Sequence, residues 1–419
     1  MNREQVFDII EQKKDELFSF LSSLIRIDSQ NFGATGKEAE IAQFLKEAYE
    51  KMGVEAETYS PLEVEGLTEN IDYYPGRHLE NRKNMSAVIR GTKHQRKLML
   101  AAHNDTVPIG NRENWRFDPL CGDIRDGKIF GRGACDDKYA LALIWFLIKL
   151  FKENGIELPY DLISAAYCDE EFGGGNGALA ASLKHKPDDI LNLDGRINEI
   201  WTAGAGGGEM ECVVHTTQTQ GCCEKLIDGI RIVREELCKF REDRRNGFLK
   251  KELFRDTTIP DTALRFLEIH AGGDLSLNTF KLRVVFYTCE NEEETKRELQ
   301  ELKTAINGRL EPLGMRTDGF YMTTRFFRFS EGDADNPAAK LMRDCTREIT
   351  GEERKITGSS LSDLPLMINH GSRRAFCLGG GRDFAIAGGA HQPDEFIECD
   401  RLLLLTRMVA AFLLEYGKL

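Results

Sequence analysis

KLMLAAHNDTVP, residues 97–108, is an apolar run that ends in a histidine and an aspartate. The apolar part predicts a buried strand, and the polar end predicts that this strand gives way to a loop at His103. Residues two apart on an extended segment point the same way, so the Asp105 carboxylate can hydrogen-bond the His103 imidazole and fix its tautomer. Open α/β sheets bind ligands at the carboxyl ends of their strands, which makes this strand end a candidate site.

Short apolar runs alternate with helical patterns around this strand. Helical spacing fills most of residues 2–49. Four runs then predict strands, at 85–89, 98–102, 160–167 and 190–193. Two stretches between them, 138–152 and 176–184, have helical spacing. The alternation predicts an α/β fold with a mostly parallel sheet flanked by helices.

The pattern changes near Trp201, where the glycine-rich residues 202–208 suggest a flexible crossing into a second domain. The following order of predicted elements is strand, helix, strand, strand, helix, with strands at 209–215, 264–270 and 280–288 and helices at 224–241 and 292–306. Residues 323–329, 338–349 and 375–378 then resume the first pattern. We therefore expect a catalytic domain of residues 1–200 and 319–419 with an α+β domain, residues 201–318, inserted in it.

Composition narrows the class of partner. The chain has 419 residues, of which 41% are hydrophobic and 30% charged, with 56 Lys and Arg against 69 Asp and Glu, a net charge of −13. No basic surface is expected for nucleic acid or an anionic membrane, which leaves a small molecule or peptide. Neither a signal peptide nor a membrane span is recognisable, and the 11 cysteines form no CxxC pair. We expect a cytoplasmic protein whose cysteines are not metal ligands.

Three further acidic clusters follow the first strand end: Cys135-Asp136-Asp137, Asp169-Glu170-Glu171 and Asn192-Leu193-Asp194. His391 lies later, in a segment that is glycine-rich on one side and acidic on the other. Each cluster also has an ordinary interpretation, as a helix N-cap, a solvated acidic loop or a turn. A series of element ends that each carry His, Asp or Glu favours a metal site instead. Carboxylates mixed with imidazole suit zinc, and also cobalt or manganese.

The motifs HNDTVP, DPLCGDIRDGKIFGRGACDDK, DEEFGGG, LNLD and GGAHQPDEF, in this order, span nearly the whole chain. In order and spacing they resemble the dinuclear zinc amidohydrolases and peptidases, the family of acetylornithine deacetylase, succinyl-diaminopimelate desuccinylase, aminoacylase and glutamate carboxypeptidase. The resemblance implies two divalent metal ions, most often zinc, bound to five residues: His103, Asp136, Glu171, Asp194 and His391. In that family Asp136 would bridge the metals, with His103 and Asp194 completing one and Glu171 and His391 the other. Asp105 would orient His103, and Glu170 would be the general base.

The resemblance also implies that the inserted domain is a lid that forms a homodimer. The lid histidine usual in the family is not evident: His215 lies within the first lid strand, and Gln220 stands nearer the expected place. The arginines that commonly bind a substrate carboxylate in this family are absent from their usual positions, and Arg374 or Arg382 could substitute for them. Tyr139 stands where the family usually has a glycine. We expect hydrolysis of an amide bond in a small N-acylated amino acid or related compound. A dipeptidase or carboxypeptidase is the alternative, and a non-catalytic metal-binding homologue a third hypothesis.

Overall fold

The structure is a computed structural model that describes residues 1–94, 96–216, 222–273 and 278–419. The chain divides into two compact units. The first comprises Met1–Thr202, Glu331–Ile356 and Leu366–Leu419, and the second comprises Ala203–Ser330 and Thr357–Pro365.

The helices are α1 (Arg3–Gln12), α2 (Lys14–Ile25), α3 (Ala39–Lys51), α4 (Lys138–Glu153), α5 (Asn176–His185), α6 (Cys222–Leu249), α7 (Glu252–Arg255), α8 (Glu292–Leu310), α9 (Pro337–Thr350), α10 (Leu364–His370) and α11 (Cys399–Tyr416). The strands are β1 (Ala56–Tyr59), β2 (Asn84–Ile89), β3 (Lys97–His103), β4 (Ile124–Arg125), β5 (Lys128–Phe130), β6 (Asp161–Tyr167), β7 (Asp189–Asn192), β8 (Glu199–Gly204), β9 (Gly206–Thr216), β10 (Leu264–Gly273), β11 (Asn278–Thr288), β12 (Met315–Met322), β13 (Ser330–Glu331), β14 (Lys355–Ser359), β15 (Ala375–Cys377) and β16 (Phe396–Glu398).

The main sheet has the strand order β1-β2-β6-β3-β7-β15-β8-β13, and β14 pairs with β8. Its four middle strands, β6, β3, β7 and β15, are parallel, whereas β1 and β2 add antiparallel pairs at one edge. This confirms the predicted α/β fold with a mostly parallel sheet. Because β3, β6 and β7 run in the same direction, the segments that follow them leave the same edge of the sheet. Those segments carry three of the predicted ligand clusters.

Helix α4 fixes a fourth cluster against this sheet. From Tyr139 to Leu143 every side chain is buried, and residues of α4 share one apolar core with the strands and with α2 and α11. A helix that is apolar on nearly all sides belongs in the interior of a domain. Burial of α4 therefore sets the position of Asp136 and Asp137, which precede its first residue.

A separate three-stranded sheet, β16-β5-β4, lies in the same unit. The β16–β5 pair aligns Phe396 with Phe130, so the segment before β16 meets the segment after β5. Gly131 N–H donates to the carbonyl of Glu395 at 2.8 Å and continues this pairing. The sheet thus brings the loop that contains His391 to the turn that contains Asp136.

The second unit contains a four-stranded antiparallel sheet of order β10-β11-β9-β12. Apolar residues of α6 and α8, among them Val233, Leu237 and Ile306, pack with the strands in one core. An α+β unit inserted in the first is therefore present. Its role as a lid or in a dimer stays a prediction.

The glycine-rich residues 202–208, which we expected to be a flexible crossing, form the end of β8 and the start of β9 instead. Gly206, Gly207 and Gly208 pair with β11. A Cβ at Gly207 would lie 2.1 Å from the carbonyl oxygen of Phe286, so these glycines allow close approach of two strands. The prediction of a loop was wrong because glycine here serves packing rather than flexibility.

The C-terminal edge of the inserted unit also differs from the prediction. Residue 318 falls inside β12, whose pairing with β9 is interrupted by a bulge between Thr317 and Phe320. The unit continues to Ser330 and includes Thr357–Pro365. Residues 323–329, which we expected to belong to the first domain, lie in the second unit and make an isolated bridge from Phe327 to Gly207. The polar segment after residue 241 continues α6 as far as Leu249.

Candidate metal centre

His103 is the last residue of β3 and is fully buried. Its Nδ1 lies 2.9 Å from the backbone carbonyl oxygen of Asp105 and 3.6 Å from the carboxylate of the same residue. A proton on Nδ1 donates to that carbonyl, so the orienting contact is with the backbone of Asp105 more than with its side chain. Nε2 then faces Oδ1 of Asp136 at 3.0 Å.

Asp136 lies between two imidazoles. Its Oδ1 faces His103, and its Oδ2 lies 3.2 Å from Nε2 of His391. The turn before it is tight, because Gly133 has φ of 87° and a Cβ there would lie 2.9 Å from Cγ2 of Thr106. A carboxylate with one oxygen toward each histidine can bridge two cations.

Asp137 takes the N-cap position of α4, but its side chain makes no capping hydrogen bond. Its Oδ2 instead accepts from the backbone N–H of His103 at 3.3 Å, and the Asp136–Asp137 peptide is cis. Burial, with the charges of Asp194 and Asp136, raises the pKa of Asp137 well above its usual value. The pair of aspartates therefore serves the site rather than the helix end.

Glu171 and His391 complete a group of facing side chains. The two carboxylate oxygens of Glu171 lie 3.2 and 3.1 Å from Nε2 of His391, and Oε1 also accepts from Val107 N–H at 3.1 Å. His391 has φ of 62°, a region that non-glycine residues seldom occupy and that recurs at functional sites. The structure brings His103, Asp136, Glu171 and His391 together.

The Asp105 carboxylate holds the acidic loop after β6. It accepts the backbone N–H groups of Glu170 at 3.2 Å and Glu171 at 3.0 Å, and Nδ2 of Asn31 at 2.8 Å. Although burial raises the pKa of Asp105, His103, Arg82 and Asn31 outweigh it and hold that pKa far below its usual range. Asp105 therefore stays ionised and positions the residues that follow Asp169.

Asp169, the first residue of the acidic cluster, belongs to a buried ion-pair network. Its Oδ1 lies 2.7 Å from Nε of Arg77 and 2.7 Å from Nη1 of Arg82, and Arg82 also pairs with Glu38. All of these side chains are nearly or fully inaccessible. Burial and the charge of Asp105 raise the pKa of Glu38 to about 7, even though Arg82 opposes them. The sequence alone gave no sign of this network.

A second buried ion pair fixes the His391 loop. Nη1 of Arg132 lies 2.6 Å from Oε2 of Glu395, whose Oε1 accepts from Cys135 N–H at 2.9 Å. Arg132 and Glu395 therefore link the turn before Asp136 to the segment after His391. Burial raises the pKa of Glu395 above its usual value despite the Arg132 charge.

Glu170 and Asp194 occupy positions next to this group, and both are half-buried. The charge of Glu170 contributes to raising the pKa of His103, and the charge of Asp194 contributes to raising that of Asp137. Asp194 follows Leu193, whose N–H donates to the carbonyl of Ala101 in β3 at 2.8 Å. The general-base role of Glu170 and the ligand role of Asp194 stay predictions.

The donor set fits divalent metal. Ligand atoms of His103, Asp136 and Glu171 all lie within 4.8 Å of one another. Imidazole nitrogen with carboxylate oxygen is the set that zinc, cobalt and manganese accept in proteins. Burial lowers the pKa of His103, but the Asp105 and Asp136 side chains hold it well above its usual value. The residues thus surround a place where positive charge is favoured.

The candidate substrate contacts have partners within the chain. Arg382 pairs with Glu398 and lies over the Phe396 ring, and Arg374 lies 3.7 Å from Asp189. In the second unit, His215 is half-exposed on β9, with Nε2 3.9 Å from Asp318. Gln220 lies outside the described residues. Which residue meets a substrate carboxylate stays unassigned.

No helix within the described ranges is long and apolar enough to cross a membrane. Of the 11 cysteines, the nine whose side chains the structure describes are free thiols outside the cluster: 121, 135, 168, 212, 238, 289, 345, 377 and 399.

Comparison with known proteins identifies the family. The model described as Peptidase family M20/M25/M40 matches residues 99–415. N-formyl-4-amino-5-aminomethyl-2-methylpyrimidine deformylase of Halalkalibacterium halodurans is 28% identical over 172 residues, which cover 41% of this chain and 36% of the relative. Cys-Gly metallodipeptidase dug1 of Schizosaccharomyces pombe is 26% identical over 178 residues, which cover 41% of this chain and 35% of the relative. The chain thus spans little more than a third of the length of these relatives.

Among solved structures, the di-peptidase Dug1p of Saccharomyces cerevisiae aligns over 100% of this chain and 99% of its own, with a TM-score of 0.76 and 15% identity. At that identity the likeness concerns the fold. It extends over both units, whereas the relatives matched by sequence align over less than half of the chain.

Proposed function

This chain belongs to peptidase family M20/M25/M40, and from that premise we propose that it is a metal-dependent hydrolase that cleaves the amide bond of a small N-acylated compound. One observation carries the proposal: Asp136 has one carboxylate oxygen 3.0 Å from Nε2 of His103 and the other 3.2 Å from Nε2 of His391. A carboxylate placed between two histidines in this way can bridge two cations, and two metals close together are what this kind of hydrolysis uses.

Two divalent cations, zinc with cobalt or manganese as alternatives, would lower the pKa of water and polarise the amide carbonyl. His103 and Asp194 would hold one, Glu171 and His391 the other, and Asp136 both. Glu170 has no ligand role in this scheme. Its carboxylate would take a proton from the attacking water and deliver it to the leaving amine nitrogen.

The side chains around the predicted ligands support these roles for the ligands and for Glu170. Asp105 and Asn31 hold the backbone of Glu170 and Glu171, so the base and the ligand beside it keep fixed places. The Arg132–Glu395 pair holds the His391 loop against the Asp136 turn. Preorganised supports of this kind are what hydrolysis at two metals requires.

The substrate is a small amide, and two classes compete. The deformylase relative favours an N-acylated amine, and the Cys-Gly metallodipeptidase relative favours a dipeptide. We also propose a cytoplasmic homodimer formed through the second unit, as the family resemblance implies.

The test is a hydrolysis panel on protein freed of metal and reconstituted with zinc, cobalt or manganese. N-formyl, N-acetyl and N-succinyl amino acids are compared with dipeptides. Glu170→Ala should lose about 10²- to 10⁴-fold in kcat while keeping its metal, because only proton transfer is removed. Glu40→Ala removes an exposed helical carboxylate and is the matched control.

The same panel distinguishes a deacylase from a dipeptidase. Turnover of the N-acyl series alone supports the deacylase, and turnover of dipeptides alone supports the alternative. Metal-loaded protein that hydrolyses neither series would overturn the proposal in favour of a non-catalytic binding protein.

A further inference from the structure

The hydroxyl of Tyr139 joins two segments of the metal centre. It donates to the carbonyl oxygen of Leu193 at 2.5 Å and accepts from the backbone N–H of Gly380 at 2.7 Å. Tyr139 and Leu193 are fully buried, and Gly380 is also buried. Such contacts are made without competition from water.

The Leu193 contact lies beside a predicted ligand. Leu193 immediately precedes Asp194, and its carbonyl belongs to the same rigid peptide plane as the N–H of Asp194. Tyr139 itself lies in the first turn of α4, three residues after Asp136. One hydroxyl therefore couples the bridging carboxylate's turn to the backbone of the next ligand.

The glycines next to Gly380 show that the junction of Tyr139, Leu193 and Gly380 is closely packed. A Cβ at Gly379 would lie 2.1 Å from the Leu193 carbonyl oxygen and 2.5 Å from the Tyr139 hydroxyl. Gly381 N–H donates to the carbonyl of Gly195 at 2.9 Å, so the residue after Asp194 is fixed as well. Asp194 is thus held on both sides, and Tyr139 supplies the side-chain part of the hold.

We propose that Tyr139 is a positioning residue that aims Asp194 at the metal it shares with His103. This inference rests on the proposed metal site but concerns affinity and not catalysis. Without the hydroxyl, the Leu193 carbonyl and the Gly380 N–H lose their buried partner, and the peptide plane before Asp194 can rotate. The Tyr139 hydroxyl contacts the peptide before Asp194 directly, whereas His391 lies further along the chain from Gly380 and its loop is held by the Arg132–Glu395 pair.

The experiment compares metal binding by wild type, Tyr139→Phe and Tyr160→Phe. The Tyr160 hydroxyl also is buried and donates to a backbone carbonyl, that of Leu413 at 2.6 Å, away from the ligands. In a competition titration with a chromophoric chelator, Tyr139→Phe should bind one metal ion as wild type does and the second about 10- to 100-fold more weakly. Tyr160→Phe should bind both as wild type does.

Equal weakening in both variants, or unchanged affinity in Tyr139→Phe, would overturn the inference. Wild type that binds no metal would instead overturn the proposed function, so the two failures differ. If Tyr139→Phe folds poorly, hydrogen exchange in the wild-type protein still tests the inference. Amide hydrogen exchange at Gly380 should slow when zinc is added to metal-free protein, and an unchanged rate would count against the coupling.

Discussion

The side-chain amide of Asn31 donates from Nδ2 to Oδ2 of Asp105 at 2.8 Å. The same nitrogen lies 3.0 Å from the carbonyl oxygen of Glu171. The side chains of Asn31 and Asp105 are fully buried. Asn31 Oδ1 in turn accepts from Gly33 N–H at 2.8 Å. One amide therefore ties the loop after α2 to the carboxylate that holds the acidic loop after β6.

Replacement of Asn31 by alanine should weaken metal binding. Asp105 loses a donor in a buried place, and the Glu171 carbonyl loses its partner, so the acidic loop is held less firmly. We expect metal affinity to fall about 10- to 100-fold. The free energy of unfolding of the metal-free protein should fall by about 1–3 kcal/mol. Metal titration and urea denaturation measure the two effects.

Asn336→Ala is the matched control, because Asn336 also is buried and donates to a backbone carbonyl, that of Arg374 at 3.0 Å. It caps α9 and should lose stability without any change in metal affinity. If both variants keep wild-type affinity, Asn31 has a structural role only.

Arg82 compensates two buried carboxylates, Glu38 and Asp169. Its replacement by methionine should lower the free energy of unfolding by about 3–5 kcal/mol, because Glu38 would be left buried without its cation and Asp169 would keep only Arg77. Glu38→Gln in the same background removes one of the two charges and should recover part of the loss. Chemical denaturation of wild type and the two variants measures this, and a loss under about 1 kcal/mol in Arg82→Met would contradict the network.

The sequence was most informative where local pattern determines structure. His103 and Asp194 follow short apolar runs, and the run itself defines the strand end that places each side chain. Asp136 lies just before an apolar helix, and the sequence of that helix alone predicts that it is buried. In those cases the residue and its neighbours in sequence are enough to predict where the side chain lies.

Contacts between segments distant in sequence could not be predicted in this way. Asn31 stands in a polar stretch like many surface loops, yet it reaches Asp105 across 74 positions. Asp169 has the same appearance as Glu170 and Glu171, but the pairing with Arg77 and Arg82 makes it structural. The glycines at 206–208 looked like a linker because their pairing partner, β11, lies some 80 positions later.

His185 should make the protein less stable in mild acid. Its Nε2 lies 2.7 Å from the Ser86 hydroxyl, and burial lowers the pKa of His185 to about 4. The unfolded chain takes up a proton near pH 6.5, whereas the folded chain resists it until about pH 4. The neutral form therefore contributes stability above about pH 6.5 that is lost as the pH falls toward 4.

His185→Gln should remove this part of the pH dependence, on the order of 2 kcal/mol between pH 7 and 4. The measurement is urea denaturation of both proteins across that range. His78→Gln, a change at an exposed histidine, should follow the wild-type curve. Parallel curves for wild type and His185→Gln would show that other groups dominate the acid response.

Removal of metal should destabilise the fold around the candidate centre. Asp136 and Glu171 face each other across His391, and the raised pKa of His391, which Glu171 and Asp136 maintain against burial, reflects the local excess of negative charge. A cation that binds the folded state alone stabilises it by about 2.7 kcal/mol when its free concentration is 100 times Kd. Differential scanning calorimetry after chelation should show a lower Tm than the metal-loaded protein. Zinc, cobalt or manganese should restore the higher Tm.

Magnesium at the same concentration should restore the Tm much less, because magnesium prefers a shell of oxygen ligands to imidazole. A Tm that is the same before and after chelation, in protein verified to have lost its metal, would contradict a metal centre at these residues.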